Sequence, residues 1–247
     1  MPGDEEFGKH ASVPCAAGEV FYIGGVKLPL EVPVMTLPNA TLLPQAWLPL
    51  YIFEPRYRQM LADALHGDRM FCVAMRRPGS ARETPLPVAG LGLIRVSVGH
   101  QDGTSHLILQ GVARVELGPV IRYRPYRLQN IRPLSTPPCD SVAADALLAK
   151  VRELLQVRFE LGLPFPFSFL SPAGAGAQPQ PPPFSAKEVM GYLDSIAKPE
   201  QAADLVSCAV LKGARERQAI LEAVDVETRL RRLIEFLLRD IRNHRKG

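Results

Sequence analysis

Ser195 and Lys198 stand three residues apart, the spacing that puts a nucleophile and a base on one face of a helix. Pro199 follows at once and the companion words of the serine–lysine enzymes are missing, so the pair reads as a helix end with a solvated lysine. Glu54 with Glu83 or Asp102 would supply paired carboxylates for acid–base work, but only where folding brings them together. The five histidines, at 10, 66, 100, 106 and 244, lack metal-ligand spacing and read as surface or turn residues. Cys15, Cys72, Cys139 and Cys208 form no CxxC or Cys/His cluster, so buried or incidental thiols in a reducing compartment are expected rather than a zinc site or redox pair. No lysine precedes Ser or Thr, no histidine precedes Glu, and no serine lies in GxSxG, which excludes a phosphate loop, a zincin helix and a nucleophile elbow. No catalytic, cofactor-binding or metal-binding residue is assigned. Function is expected to rest on binding, or on catalysis supplied by another protein.

Two further groups of residues suit binding. Arg122-Tyr123-Arg124-Pro125-Tyr126-Arg127 interleaves guanidinium groups with rings, as a nucleic-acid patch would; the same alternation describes a barrel strand with one wet face. The strand is the preferred reading, because the net charge of +4 comes from 22 Arg against 7 Lys spread along the chain rather than gathered in a stripe. In the other group, Trp47, Tyr51 and Phe53 alternate with Leu48, Leu50 and Ile52, so both faces of the segment are apolar.

The elements that position these residues follow from periodicity and punctuation. Pro55 suits the first turn of a helix, Tyr57, Met60, Leu61, Ala64 and Leu65 form its buried stripe, and Gly67 ends it. Strands are expected at 70–75, 90–98, 106–117 and 126–131, with a hairpin connection over 99–104 built on Asp102-Gly103. From Asp140 the period becomes helical: Leu147, Leu148, Val151, Leu154, Leu155 and Phe159 share a face, and Asp140 or Ser141 can cap it. Ser185 and Glu188 form a capping box flanked by Phe184 and Val189. A last helix after Asp225 carries Leu230, Leu233, Ile234, Leu237, Leu238 and Ile241 on one stripe, with arginines on the other.

At 247 residues and 47% apolar content the chain can bury an ample core, and two lobes are expected. Residues 1–27 read as a loosely held arm, 28–136 as a β barrel, and 137–247 as a helical lobe with a Pro/Gly-rich insertion at 162–183. Phe165, Phe167 and Phe169, which alternate with Pro166 and Ser168, are expected to pin the first half of that insertion. With no long apolar run and no signal-peptide pattern, a cytoplasmic location without membrane contact is expected.

The words LPLYIFEPRYRQM at 48–60, with LPNATLLP at 37–44, resemble the start of the substrate-recognition domain at the N-terminus of Lon proteases and in free-standing bacterial Lon-like proteins. GLGLIRVSV at 90–98, LILQGVARVEL at 107–117, YRPYRLQNIRPL at 123–134 and the helical stretch 200–237 are similar to that family's later elements. The resemblance implies an α+β fold, a PUA-like pseudobarrel with one short helix followed by a helical bundle, without the ATPase and peptidase engines. It implies a non-catalytic module, linked to protein quality control, that binds unfolded or apolar protein segments and works with a cellular protease or ATPase. Trp47, Tyr51, Phe53 and Arg56 are the peptide-binding candidates, the rings lining a groove where Leu48, Leu50 and Ile52 fill the barrel and Arg56 holding a carboxylate or carbonyl. In the competing reading the rings cement barrel to helices. An RNA-binding barrel is the alternative function, although nucleic acid is not the expected partner.

Overall fold

The computed structural model describes residues 21–23, 26–80, 83–163, 191, 193, 195–196 and 198–246. The chain runs through β1 (Phe21–Ile23), β2 (Val26–Leu28), β3 (Glu31–Leu37), β4 (Trp47–Ile52), α1 (Pro55–His66), β5 (Met70–Met75), β6 (Val88–Gly99), β7 (Ser105–Arg122) and β8 (Arg127–Pro133). It continues as α2 (Ser141–Glu160), α3 (Pro199–Val210), α4 (Ala214–Glu222) and α5 (Val226–Lys246). Strands thus precede helices, α1 excepted, in the α+β arrangement expected. Within the segment read as an arm, residues 1–27, Phe21–Ile23 pair antiparallel with β2, which ends at the buried Leu28. The capping box at Ser185 and the Phe165–Phe169 string lie outside the described residues.

Local signals account for the ends of several elements. Pro55 opens α1, where its missing N–H costs no hydrogen bond, and Gly67 closes it. The Asp140 carboxylate accepts a hydrogen bond from the Val142 N–H and caps α2. The β6–β7 hairpin turns through Gly103 at φ +79°, a conformation glycine adopts without strain.

The strand order is β4-β7-β6-β5-β3-β8, with all neighbours antiparallel except β3 and β5, and β8 returns to pair with the second half of β7. That last pairing closes five strands into a barrel. Its interior is filled by Leu28, Val32, Val34, Met70, Cys72, Ala74, Ala89, Leu91, Ala113, Val115 and Ile131. The first half of β7 pairs instead with β4 and extends the sheet beyond the barrel. β5 is buried on both faces: Met70, Cys72 and Ala74 point into the barrel, and Phe71 and Val73 join a second, larger cluster with α1 and the later helices. Ile52 belongs to that second cluster and Leu48 and Leu50 pack against it, so these residues do not fill the barrel as expected. β4 lies outside the ring of five strands, which leaves its inner face to the helical layer.

The loop before β4 is laid directly on the sheet. A Cβ at Gly90 would stand 1.9 Å from the Leu42 carbonyl oxygen, and one at Gly111 2.0 Å from that of Leu43, so both strands need glycine where the loop crosses. Leu42 and Leu43 are fully buried, and hydrogen bonds from Gln45 N–H to Gly111 O and from Gly111 N–H to Ala46 O carry the chain into β4.

Barrel and helices are also joined by buried charge. Ala113 and Val115 point into the barrel, so Arg114 points out, where its guanidinium makes a two-pronged ion pair with Asp204 of α3. Arg229 of α5 lies 3.5 Å from the same carboxylate and donates to Thr136 Oγ1 and Val224 O. Arg229 is 0% exposed, so the expected division of the last helix into an apolar stripe and an arginine stripe does not hold there; Leu238 of the expected apolar stripe is exposed. Burial pushes the pKa of Arg229 down, and that of Arg158 too, which is buried on α2 and ion-paired with Asp240 of α5. Among the described residues no helix is long and apolar enough to cross a membrane.

Removing the shared acid should leave two buried arginines without compensation. Asp204→Ala is expected to cost about 3–5 kcal/mol of stability by urea unfolding, while Glu227→Ala, which breaks an exposed pair, should change it by less than about 0.5 kcal/mol.

Candidate peptide-binding face

Alternation on β4 turns Trp47, Pro49 and Tyr51 outward and Leu48, Leu50 and Ile52 inward. Register extends that outer face across two more strands. Tyr51 stands opposite His106 and His106 opposite Val98; Pro49 stands opposite Ile108 and Ile108 opposite Val96; Trp47 stands opposite Gln110. Trp47 (43% exposed), Tyr51 (49%), Phe53 (59%), Val96 (46%), Val98 (53%) and Ile108 (36%) therefore form one apolar surface. The rings are in order: Tyr51 and Phe53 stack with centroids 5.9 Å apart, and Tyr51 lies 4.8 Å from the His106 ring. The exposure of these rings corrects the reading in which they cement barrel to helices.

β4 is the terminal strand of this sheet, and among the described residues its far edge carries no partner strand. Pro49 sits in the middle of it, where a missing N–H is tolerated because that edge is unpaired. A β-bulge between Ile94 and Val96 accommodates Arg95, whose Nε donates to Gln110 Oε1 at 2.6 Å beside Trp47. At the opposite corner His100 and His106 share a hydrogen bond of 2.7 Å between Nε2 and Nδ1, which requires an unprotonated nitrogen on one of the two rings. The sequence marked these histidines only as surface or turn residues and did not single out Val96, Val98 or Ile108. The signal that joins them is the Asp102-Gly103 turn, which sets the register that places residue 98 opposite 106.

Arg56 occupies the first turn of α1 but its donors are engaged. Nε donates to Glu54 at 2.9 Å, and both terminal nitrogens donate to the two oxygens of Glu83. A ligand carboxylate would compete with these. Hydrogen bonding from Arg56 holds the Glu83 carboxyl below the usual carboxylate range. Glu54 and Glu83 are thus brought together as a clamp on one cation, not as an acid–base pair; Asp102 instead accepts from Thr104 in the hairpin.

The segment 122–127 departs from the expected strand. Arg122 ends β7, 123–126 form the turn and Arg127 begins β8. Tyr126 is buried, donates to Asp63 at 2.5 Å and accepts from Arg122 at 2.6 Å, while Arg127 lies 5.0 Å from the Tyr123 ring. The inward Tyr126 breaks the alternation that a strand would show. Lys198 precedes the first turn of α3, so Ser195 and Lys198 share no helical face. Burial pushes the Cys72 thiol up, and the Cys208 thiol up to about 12, which disfavours the reactive thiolate at both.

Three comparisons bear on this arrangement. The family model of the ATP-dependent protease La (LON) substrate-binding domain matches residues 31–239. Among curated relatives, the Lon protease of Desulfosudis oleivorans is 22% identical over 218 residues, and Lon protease 2 of Myxococcus xanthus 25% over 247 residues. The alignments cover 85% and 97% of this chain but 24% and 27% of those proteins, so the chain spans about a quarter of the length of these relatives. Among solved structures, the N-terminal domain of the Mycobacterium avium complex Lon protease superposes with TM-score 0.62 at 20% identity, covering 84% of this chain and 98% of that one. The Lon N-terminal domain protein from Xanthomonas campestris gives 0.53 at 17% identity, with 83% and 98% covered. At such identities the superpositions show the fold.

The two phases of β7 should respond oppositely to substitution. Ile108→Ser on the outer face is expected to change the urea-unfolding free energy by less than about 0.5 kcal/mol. Leu109→Ala, one residue on and fully buried, should lose about 2–5 kcal/mol in the same measurement.

Proposed function

The chain belongs to the Lon substrate-binding domain family, and from that membership we propose that it is a non-catalytic recognition module which captures extended apolar segments of unfolded proteins on the outer face of β4, β7 and β6. The observation that carries this reading is the exposed row of Trp47, Tyr51, Phe53, Val96, Val98 and Ile108 on one sheet face. Monomeric proteins seldom leave such a contiguous patch uncovered without a use for it. Its chemistry fits a peptide: apolar rows reward alternate side chains of an extended segment, and the unpaired edge of β4 offers main-chain groups for pairing. Stacked Tyr51 and Phe53 supply rigid area at low entropic cost.

In this role clients pass to an ATPase and a protease in the cytoplasm, as part of protein quality control, and the module itself breaks no bond. Arg56 acts by holding Glu54 and Glu83 at the head of α1, next to Phe53, so it shapes the end of the face. RNA binding has less support. The Arg/Tyr segment that would carry it forms a turn with Tyr126 buried, and leaves no row of stacking rings.

Binding to a cellulose-displayed peptide library at low and moderate salt, with total RNA as a parallel probe, tests the assignment. Capture of apolar peptides should persist at moderate salt, and Trp47→Ser with Tyr51→Ser should weaken it about tenfold or more while the melting temperature stays within about 2 °C. Salt-sensitive RNA binding without peptide capture would replace this reading with a nucleic-acid one.

A further inference from the structure

A second concavity lies away from the apolar face, around the head of α1. It has a volume of about 760 Å³ and is bounded by β3, the first turn of α1, the loop that carries Glu83, and the β7–β8 turn. Three arginines, Arg56, Arg124 and Arg127, line it against one carboxylate, that of Glu83. Arg56 is held by Glu54 and Glu83, and Arg127 donates to the Glu83 main-chain carbonyl at 3.2 Å. Arg124 has no ion-pair or hydrogen-bond partner among the described residues. The wall therefore carries more positive charge than its own acid neutralises.

We propose that this cavity is a docking site for an acidic peptide segment, whose carboxylates bind Arg124 and compete with Glu83 for Arg56. The resident acid shows which chemistry the wall accepts. Glu83 presents a planar carboxylate whose two oxygens meet the two terminal nitrogens of Arg56, the fork-to-fork geometry that distinguishes carboxylate recognition from simple attraction to charge. Its side chain is 46% exposed, so an incoming carboxylate can replace it without opening the core. The cavity has the size of a site for two or three side chains rather than for a single small ion. Tyr123, exposed and lying under the Arg127 guanidinium, gives a flat apolar wall for the methylene groups of a glutamate. A nucleic acid would need several open ring faces, whereas here Tyr126 is buried and Tyr57 lies beneath Arg56.

The site goes beyond the apolar-face role and fails independently of it. Titration calorimetry of the full chain with N-acetylated, C-amidated pentaglutamate, with the pentaglutamine analogue and poly(U) as parallel probes, tests it. Pentaglutamate is expected to bind and pentaglutamine not to. Arg124→Ala should weaken pentaglutamate binding about fivefold, and Glu83→Gln, by removing the built-in competitor, should tighten it by a similar factor. Trp47→Ser should leave it unchanged. Equal binding of the two peptides, indifference to Arg124→Ala, tighter binding of poly(U) than of pentaglutamate, or no pentaglutamate binding to either wild type or Glu83→Gln would each overturn the proposal.

Discussion

Asp204 lies where barrel, α3 and α5 meet, and its carboxylate is the shared counter-charge of Arg114 and Arg229. Taking three charges out of water is expensive, and the cost is offset only while each keeps its partners. Arg114 spends its two terminal nitrogens on Asp204, and Arg229 adds the Thr136 hydroxyl and the Val224 carbonyl. The geometry is strict because a guanidinium meets a carboxylate well in few orientations. Apolar burial is non-directional, whereas this network holds in few orientations. It sets the position of the helices on the barrel, while the surrounding apolar cluster supplies most of the favourable energy.

That fixed relation determines what β4 does. Closing the barrel through β7 and β8 uses only the second half of β7, and the first half continues as a three-stranded extension with β4 and β6. The helical layer covers one face of this extension, taking Leu107, Leu109 and Ile52 into the core. The other face stays open, with its apolar side chains in solvent. A strand with apolar residues on both faces would ordinarily be buried on both sides; here one side is exposed. The loop laid over Gly90 and Gly111 delivers the chain to that position, since any larger residue at either glycine would lift Leu42 and Leu43 off the sheet.

The two candidate binding regions differ in physics. The sheet face is apolar, ordered by stacked rings and suited to salt-tolerant contact. The cavity at the head of α1 is basic and carries its own acid, so charge and ionic strength govern it. α1 adjoins both, following directly from the end of β4 and presenting Arg56 in its first turn.

Residues close together in sequence carried much of the architecture. The Pro55 start and Gly67 stop of α1, the run Met70–Met75, the hairpin at Asp102-Gly103 and the Asp140 cap each depend on local backbone or side-chain requirements, so each was legible in one dimension. The outward set of Trp47, Tyr51 and Phe53 was legible as well, because period-two alternation separates it from Leu48, Leu50 and Ile52. Which set would be covered, and by what, was not. That depended on β4 pairing with half of β7 outside the barrel, a long-range choice that also brought Val96, Val98 and Ile108 alongside. The burial of Arg114 on β7 and of Arg158 and Arg229 on helices was equally hidden, since an arginine on an amphipathic element reads as solvated until a distant carboxylate is found opposite it. The turn at 123–126 followed the same rule, since Tyr126 is turned inward to donate to Asp63 on α1, 63 residues away. Sequence alone therefore determined those elements and the alternation of β4, for which nearest neighbours suffice. Tertiary structure decided which apolar face remained exposed and which charges were buried, because both depend on partners far away in the chain.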